Sequence, residues 1–243
     1  MIEVDLRRLC TITQGVAHQH MPAWANLTAN VIKGTKTDPG DLAGPGIYTC
    51  FWDRALIYIG AYSGLAHDPF GGHVIDRAFK HIVGFTLRSD QLFFNDRPLR
   101  AIIDGLDHEI ARDLARAREQ GDRVRSGGGP ETALGPNGAF CATERKARFA
   151  ARHWDVLRGA TPDELFRRLT FAYRRLMPPA SLVSKKAIQK DWIDQIEKKL
   201  ITAFEPCCNT SGRRGPDGPP ASLQQVSEAL DTAIAAVRAS HKL

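Results

Sequence analysis

No apolar run in this 243-residue chain reaches the roughly 18 residues that a membrane helix needs. The first residues, Met1-Ile2-Glu3-Val4-Asp5, carry acids where a secretory leader carries bases, and no apolar segment follows them. A cytoplasmic location is therefore expected. Cysteine is scarce: Cys10, Cys50, Cys141, Cys207 and Cys208 are odd in number and include no C-x-x-C pair. That argues against a disulfide framework and against a structural zinc site. His18 and His20 stand at no standard ligand spacing from Cys207 and Cys208, so a metal or redox centre built on those four is disfavoured. No zinc finger, helix-turn-helix pattern or internal repeat is evident. Hydrophobic residues at 43% and charged residues at 25% exclude global disorder.

Charge is present in excess and unevenly. The chain carries +6, yet residues 141–190 hold twelve Lys or Arg against four acids. That stretch is +8, leaving −2 for the remainder. A clustered basic patch is the expected footprint of a phosphate-backbone binder, although a solvated helix face has the same composition. Arg145, Lys146, Arg148 and Arg152 fall on a predicted basic helix over 141–157, and Arg213 and Arg214 on a Gly/Pro-rich linker over 211–220. These six are the candidate nucleic-acid contacts.

Two β-like runs, 46–51 and 56–60, are close enough to form a hairpin. Residues 72–83 read as a helix, 84–95 as a possible strand pair, and 99–114 as a long amphipathic helix. Residues 1–20 are weakly patterned and suggest at most a short helix. The stretch 121–139 reads as a flexible loop. Thr161, Pro162 and Glu164 form a helix-capping signature, Leu169 to Leu176 suit a strand, and 185–204 and 222–239 are strong helices.

Several residues stand out on chemical grounds. His73, Arg77 and His81 are spaced four apart, which on a helix makes one polar row suited to a phosphate. Glu197 falls inside an apolar arc formed by Ile193, Ile196, Leu200 and Ile201. A carboxylate there is costly unless it is paired or holds a metal. On the hairpin, a loop centred on Asp53 sets Tyr48 directly opposite Tyr58, so both share one face. A two-residue turn at Asp53-Arg54 would put them on opposite faces.

Gly46-Ile47-Tyr48, then nine residues, then Tyr58-Ile59-Gly60 resembles the paired motif of the GIY-YIG nucleases. The likeness extends to Arg77 on the following helix, to His81 one turn later as in some restriction endonucleases, and to Glu197 twelve residues before Asn209 in Pro206-Cys207-Cys208-Asn209. It covers roughly 45–83, 166–177 and 185–210. The gap from Gly60 to Arg77 is longer than in minimal members, and 84–165 is a large insertion.

The resemblance implies an α+β fold, sandwich-like, with a three-stranded antiparallel sheet flanked by helices. One elaborated domain would span 1–243, with a core at about 45–83 plus 166–210, a mostly helical insertion at 84–165 and a C-terminal helix at 221–240. It implies metal-dependent phosphodiester hydrolysis, with Glu197 as the one protein carboxylate on Mg²⁺ or Mn²⁺. Tyr48 would be general base or relay, its pKa lowered by nearby cations. Arg77 would stabilise phosphate charge, Tyr58 and His81 would orient water and phosphate, and Asn209 would fix backbone or substrate geometry. The restriction members suggest double-stranded DNA as partner, a homodimer for double-strand cutting, and a cognate methyltransferase acting on the same site. Alternatives are a structure-specific repair, recombination or mobile-element nuclease, and a nucleic-acid-binding protein that no longer cuts.

Overall fold

A computed structural model describes residues 1–14, 27–35, 40–65, 67–68, 70–86, 94–95, 124–125, 132–134, 142–157, 159–182, 184–209 and 220–241. The predicted helix at 99–114, His18, His20, Cys141, Arg213 and Arg214 lie outside these residues, as does most of the 84–95 and 121–139 stretches. Where the sequence suggests one elaborated domain, the chain forms two compact units. The first comprises Met1–Leu9, Val31–Ala78 and Arg168–Leu243, and the second Cys10–Asn30 and Phe79–Arg167. The class is α+β. Among the described residues no helix is long and apolar enough to cross a membrane.

The first unit is built on β4 (Pro45–Trp52) and β5 (Ala55–Ser63), joined by Asp53 and Arg54 at φ of 46° and 70°. Two successive left-handed residues define the tight turn whose twist matches a hairpin. β10 (Leu169–Arg175) pairs antiparallel with the other side of β4, and β1 (Ile2–Val4) pairs with β10. The sheet order is β1-β10-β4-β5. It has four strands, not the expected three, because the weakly patterned N-terminal stretch supplies β1, followed by the short helix α1 (Leu6–Leu9).

All of β4 is buried, so both faces of the sheet are covered there. On one face Ile47, Phe51, Leu56 and Ile59 meet a helical layer. That layer starts with α6 (Lys185–Ala187), runs through a π-helical segment (Ile188–Ile193) and continues as α7 (Asp194–Phe204). α8 (Leu223–His241) packs beside it. Trp192, Ile193, Ile196 and Leu200 recur at helical spacing and are buried against Val226, Leu230, Ala233 and Val237 of α8. Each such aliphatic side chain contributes about 1.5–3 kcal/mol on burial. α8 starts with a reciprocal cap: the Ser222 N–H donates to Gln225 Oε1 (2.8 Å) and the Gln225 N–H to Ser222 Oγ (3.1 Å).

The second unit holds a two-stranded sheet of β2 (Cys10–Gln14) and β3 (Leu27–Val31), whose last residue falls in the first unit. It also holds four short strands: β6 (Phe94–Asn95), β7 (Val124–Arg125), β8 (Thr132–Leu134) and β9 (Ala142–Thr143), in the order β7-β6-β8-β9. The insertion thus carries strands besides helices. Its helices are α3 (Glu144–Arg152), α4 (Trp154–Leu157) and all but the last residue of α5 (Pro162–Arg168). At the start of α5, Thr161 Oγ1 accepts from the Glu164 N–H (3.3 Å) while Glu164 Oε2 accepts from the Thr161 N–H (2.7 Å), the cap read from the sequence. α2 (Ile75–Thr86) begins in the first unit and continues into the second after Ala78.

Candidate active site

The hairpin departs from expectation twice, and the departures offset one another. Its turn has two residues, so near the tip Trp52 faces Ala55 and Phe51 faces Leu56. Continued unchanged, that register would put Tyr48 and Tyr58 on opposite faces. A bulge intervenes at Ile57, after which Cys50 faces Tyr58 and Tyr48 faces Gly60. One extra residue inverts every side chain beyond it. Tyr58 therefore shares the Tyr48 face as its diagonal neighbour instead of standing directly opposite. The two rings stack at 6.0 Å and 26°, and Phe171 of β10 stacks on Tyr48 at 5.4 Å and 20°.

The glycines of the paired motif make room for rings. A Cβ on Gly60 would collide with the ring and hydroxyl of Tyr48. A Cβ on Gly46 would collide with the Tyr173 ring and the Arg174 carbonyl. Tyr173 crosses above Gly46 to donate its hydroxyl proton to the Gly44 carbonyl (2.7 Å).

β5 is the edge of its sheet, so its outward amides and carbonyls need partners. The segment from α7 onward supplies them. The Ala61 N–H donates to the Glu197 carboxylate. The Asn209 side chain donates Nδ2–H to the Ile59 carbonyl (2.7 Å) and accepts the Ile59 N–H at Oδ1 (2.9 Å). The Cys208 N–H donates to the Ile57 carbonyl (2.9 Å). Asn209 is buried and acts as a peptide mimic that completes the ladder. Through these two bonds its side chain holds the backbone of β5 at Ile59.

This docking places Glu197 beside the tyrosines. Burial, reinforced by Asp194 one turn earlier, pushes its carboxyl up to about 7, with the Ala61 hydrogen bond and Arg77 opposing. Burial raises Tyr48 well above the usual phenol range; Tyr58, Cys50 and Glu197 add to it and Arg77 opposes. Tyr58 is raised for the same first reason and by Glu197, while a hydrogen bond from Tyr48 works the other way. Desolvation outweighs Arg77 here, so Arg77 alone does not bring the Tyr48 phenol below its usual range. Arg77 itself is exposed on α2, with its guanidinium 6.0 Å from the Tyr62 ring centroid.

Tyr48, Tyr58, Arg77 and Glu197 thus gather in the first unit, with Asn209 holding the strand beneath them. The polar row of three is not formed. His73 precedes α2, is buried, and accepts the Ile75 N–H at Nδ1 (3.0 Å) as a cap on the first turn. His81 belongs to the second unit. It is buried there, stacked on Phe85 (5.3 Å), with its Nδ1 3.2 Å from Lys146 Nζ. Lys146 is therefore not on an exposed basic face: it is buried, and its ammonium also lies 5.4 Å from the Phe85 ring centroid. Arg145 is half-buried, and Arg148 and Arg152 are exposed.

Asp194, Tyr62 and Phe171 were not singled out by sequence. Asp194 had a signal, one helical turn before Glu197, and Tyr62 had another, on the Tyr58 face by strand alternation. Among the described residues no three His, Cys, Asp or Glu side chains gather into a cage. The oxygen donor that the cluster offers a cation is the Glu197 carboxylate. A single hard, half-buried carboxylate beside hydroxyls fits Mg²⁺ or Mn²⁺, which keep most of their water. Comparison of the chain with protein-family models, with curated proteins and with solved structures found no match.

Proposed function

We propose that this chain is a metal-dependent DNA endonuclease of the GIY-YIG type, most like its restriction enzymes. The observation that carries the proposal is the convergence of Tyr48, Tyr58, Arg77 and Glu197 on one sheet face and edge, from positions up to 149 residues apart. Glu197 would hold Mg²⁺ or Mn²⁺, which when bound supplies charge to polarise the scissile phosphate and stabilise the leaving oxygen.

The chain's own groups do the rest. Arg77, exposed beside the cluster, binds a non-bridging phosphate oxygen and meets the charge that grows there. The Tyr48 and Tyr58 hydroxyls stay protonated at neutral pH. They orient the attacking water and relay its proton instead of serving as preformed phenolates. Phe171 and Gly60 fix the Tyr48 ring. Water adds to phosphorus, the bond to the leaving oxygen breaks, the attacking water's proton passes along the tyrosine pair to solvent, and the leaving oxygen takes up a proton from a solvent water to become the free hydroxyl. One such site cuts one strand, so a double-strand cut requires two copies on DNA as a homodimer. A cytoplasmic enzyme of this kind would be matched by a methyltransferase that protects the same sequence. Exposed Arg148 and Arg152 are candidate backbone contacts.

The test is digestion of mixed-sequence phage DNA with Mg²⁺ by wild type, by Glu197→Ala, and by wild type in EDTA. Discrete fragments from wild type with Mg²⁺ alone support a sequence-specific endonuclease. A smear or simple nicking keeps the nuclease and moves the substrate toward structure-specific or nonspecific cutting. No cleavage of several unmodified DNAs and RNAs refutes the catalytic reading.

A further inference from the structure

Gly46 of β4 pairs with Tyr62 of β5 on one side and with Arg175 of β10 on the other, so the three form one row across the sheet. Side chains two residues apart on a strand share a face. Arg175 therefore projects from the face of Tyr173 and Phe171, which is also the Tyr48 face, one row or about 7 Å further along the strands. Its charge is felt there: burial raises the Tyr173 phenol, Tyr62 adds to it, and Arg175 opposes. Arg77 reaches the same row from α2, with its guanidinium 6.0 Å from the Tyr62 ring centroid.

Gly44 fixes the neighbours of Arg175. A Cβ on Gly44 would meet the Phe70 carbonyl oxygen at 2.9 Å and Arg175 Nε at 3.3 Å, so both groups lie over one glycine, whose φ is 82°. Arg175 Nε is buried without a hydrogen-bond partner, and the guanidinium pairs with no carboxylate among the described residues. Packing holds the stem of the side chain, while its charge is committed to no acceptor of its own unit. An oxyanion at the partly exposed end supplies the missing counter-charge.

The loop beside it displays an aromatic ring. Phe70 is 42% exposed. Asp68 holds its turn: the Leu65 and Gly71 N–H groups donate to the Asp68 carbonyl (2.9 and 3.2 Å), and the Phe70 N–H donates to Asp68 Oδ1 (3.0 Å). An uncommitted cation next to an exposed aromatic meets the two needs of a nucleotide, a charge for its phosphate and an apolar plane for its base.

We propose that Arg175 and Phe70 form a subsite for the nucleotide that flanks the scissile phosphate on the DNA strand being cut. Arg77 takes the scissile phosphate, Arg175 takes the next one along the same sheet face, and Phe70 packs on the adjoining base. The subsite rests on the nuclease reading for the phosphate that is cut, but Arg175 and Phe70 take no part in breaking the bond.

The test separates binding from cleavage. Full-length protein carrying Glu197→Gln is titrated in EDTA with a fluorescein-labelled duplex of mixed sequence, and anisotropy is followed over a salt series. Adding Arg175→Gln should weaken binding about tenfold and lower the salt slope by about one ion, and Arg175→Lys should restore the slope. Adding Phe70→Ala should weaken binding about tenfold with the slope unchanged. In the wild-type background with Mg²⁺, both substitutions should raise KM for cleavage and leave kcat at saturating DNA in place. Phe70 is exposed, so its substitution tests the subsite even where Arg175→Gln unfolds the chain. A folded Arg175→Gln protein with an unchanged slope, or Phe70→Ala with unchanged affinity, overturns the subsite, and wild-type cleavage still keeps the nuclease. Weakened binding as stated, with no cleavage of any DNA by wild type, removes the nuclease reading and leaves the nucleotide contact standing. A Glu197→Gln protein that binds no duplex overturns both.

Discussion

Glu197→Gln should make the protein more stable at alkaline pH and leave it nearly unchanged at pH 4. The folded carboxyl is raised from about 4.5 to about 7, by burial first and Asp194 second. A raised acid binds its proton more tightly in the folded state than in the unfolded one. Unfolding therefore releases protons across this window, and stability falls as pH climbs from about 4.5 to about 7. Below the window the group carries no penalty, and above it the whole penalty stands. At about 1.4 kcal/mol per pH unit, the shift amounts to about 3 kcal/mol.

Gln keeps an oxygen for the Ala61 N–H and carries no charge to desolvate. Urea unfolding of both proteins at pH 4 and pH 8 should show a Glu197→Gln gain of about 3 kcal/mol at pH 8 and close to none at pH 4. Asp194 is raised in the same direction by burial, so a smaller slope of the same sign persists in the variant. Divalent cation at pH 8 should return the lost stability to wild type, by about 2.7 kcal/mol at a hundredfold excess over its dissociation constant, and should do nothing for the variant. Equal stability of the two proteins at both pH values, or destabilisation by Gln at pH 8, would refute the reasoning.

Three further perturbations probe the frame of the site. Gly60→Ala should cost about 1–3 kcal/mol and abolish activity, because its Cβ displaces the Tyr48 ring; thermal melts and cleavage assays read both. Asn209→Ala strips partners from the Ile59 N–H and carbonyl. It should cost about 3 kcal/mol and remove hydrogen-exchange protection at the Ile59 amide, whereas protection retained there would contradict the latch. Arg54→Gly should stabilise the hairpin by up to about 1 kcal/mol in denaturant unfolding, since Arg54 holds a φ of 70° that glycine adopts freely.

The hairpin, the last two helices and the Thr161–Glu164 cap were legible because each is local: alternation, helical period and a four-residue signature suffice. The registration of Tyr48 against Tyr58 was not. Asp53-Arg54 lacks the glycine that marks a two-residue turn, and Ile57, a good strand former, gives no sign of bulging. The two misreadings offset one another, so a shared face was reached by the wrong geometry. β1 is three residues long and too short to show a period. Lys146 illustrates charge read without periodicity. It stands three and four residues before buried Phe149 and Ala150, so helical spacing already sets it on their face, opposite to the solvent expected from its charge. Its meeting with His81, 65 residues earlier, is a tertiary event that no local pattern carries. The burial that raises both tyrosines was not legible, because a sequence displays charged neighbours such as Arg77 and conceals desolvation.

The twelve-residue interval from Glu197 to Asn209 follows from the edge of β5. Outward-facing groups on a strand recur at every second residue, and here they belong to Ile57, Ile59 and Ala61. Glu197 takes Ala61. The chain then climbs the rest of α7, reverses at Glu205 with φ 46°, and returns through Pro206 so that Asn209 takes Ile59 and Cys208 takes Ile57. Removing a residue from this excursion would rotate Glu197 away from the edge or pull Asn209 off Ile59. The interval is thus a length of helix plus a reversal, set by the need to meet neighbouring rungs of one strand twice. It also links the two ends: whatever loosens Asn209 from Ile59 frees the rung adjoining Ala61, and with it the backbone hydrogen bond that lowers the Glu197 pKa. Asn209→Ala should therefore raise the Glu197 pKa further and carry the alkaline stability loss to higher pH. That displacement, read by repeating the pH series in the variant, separates a latch that positions the carboxylate from an asparagine that merely ends a turn.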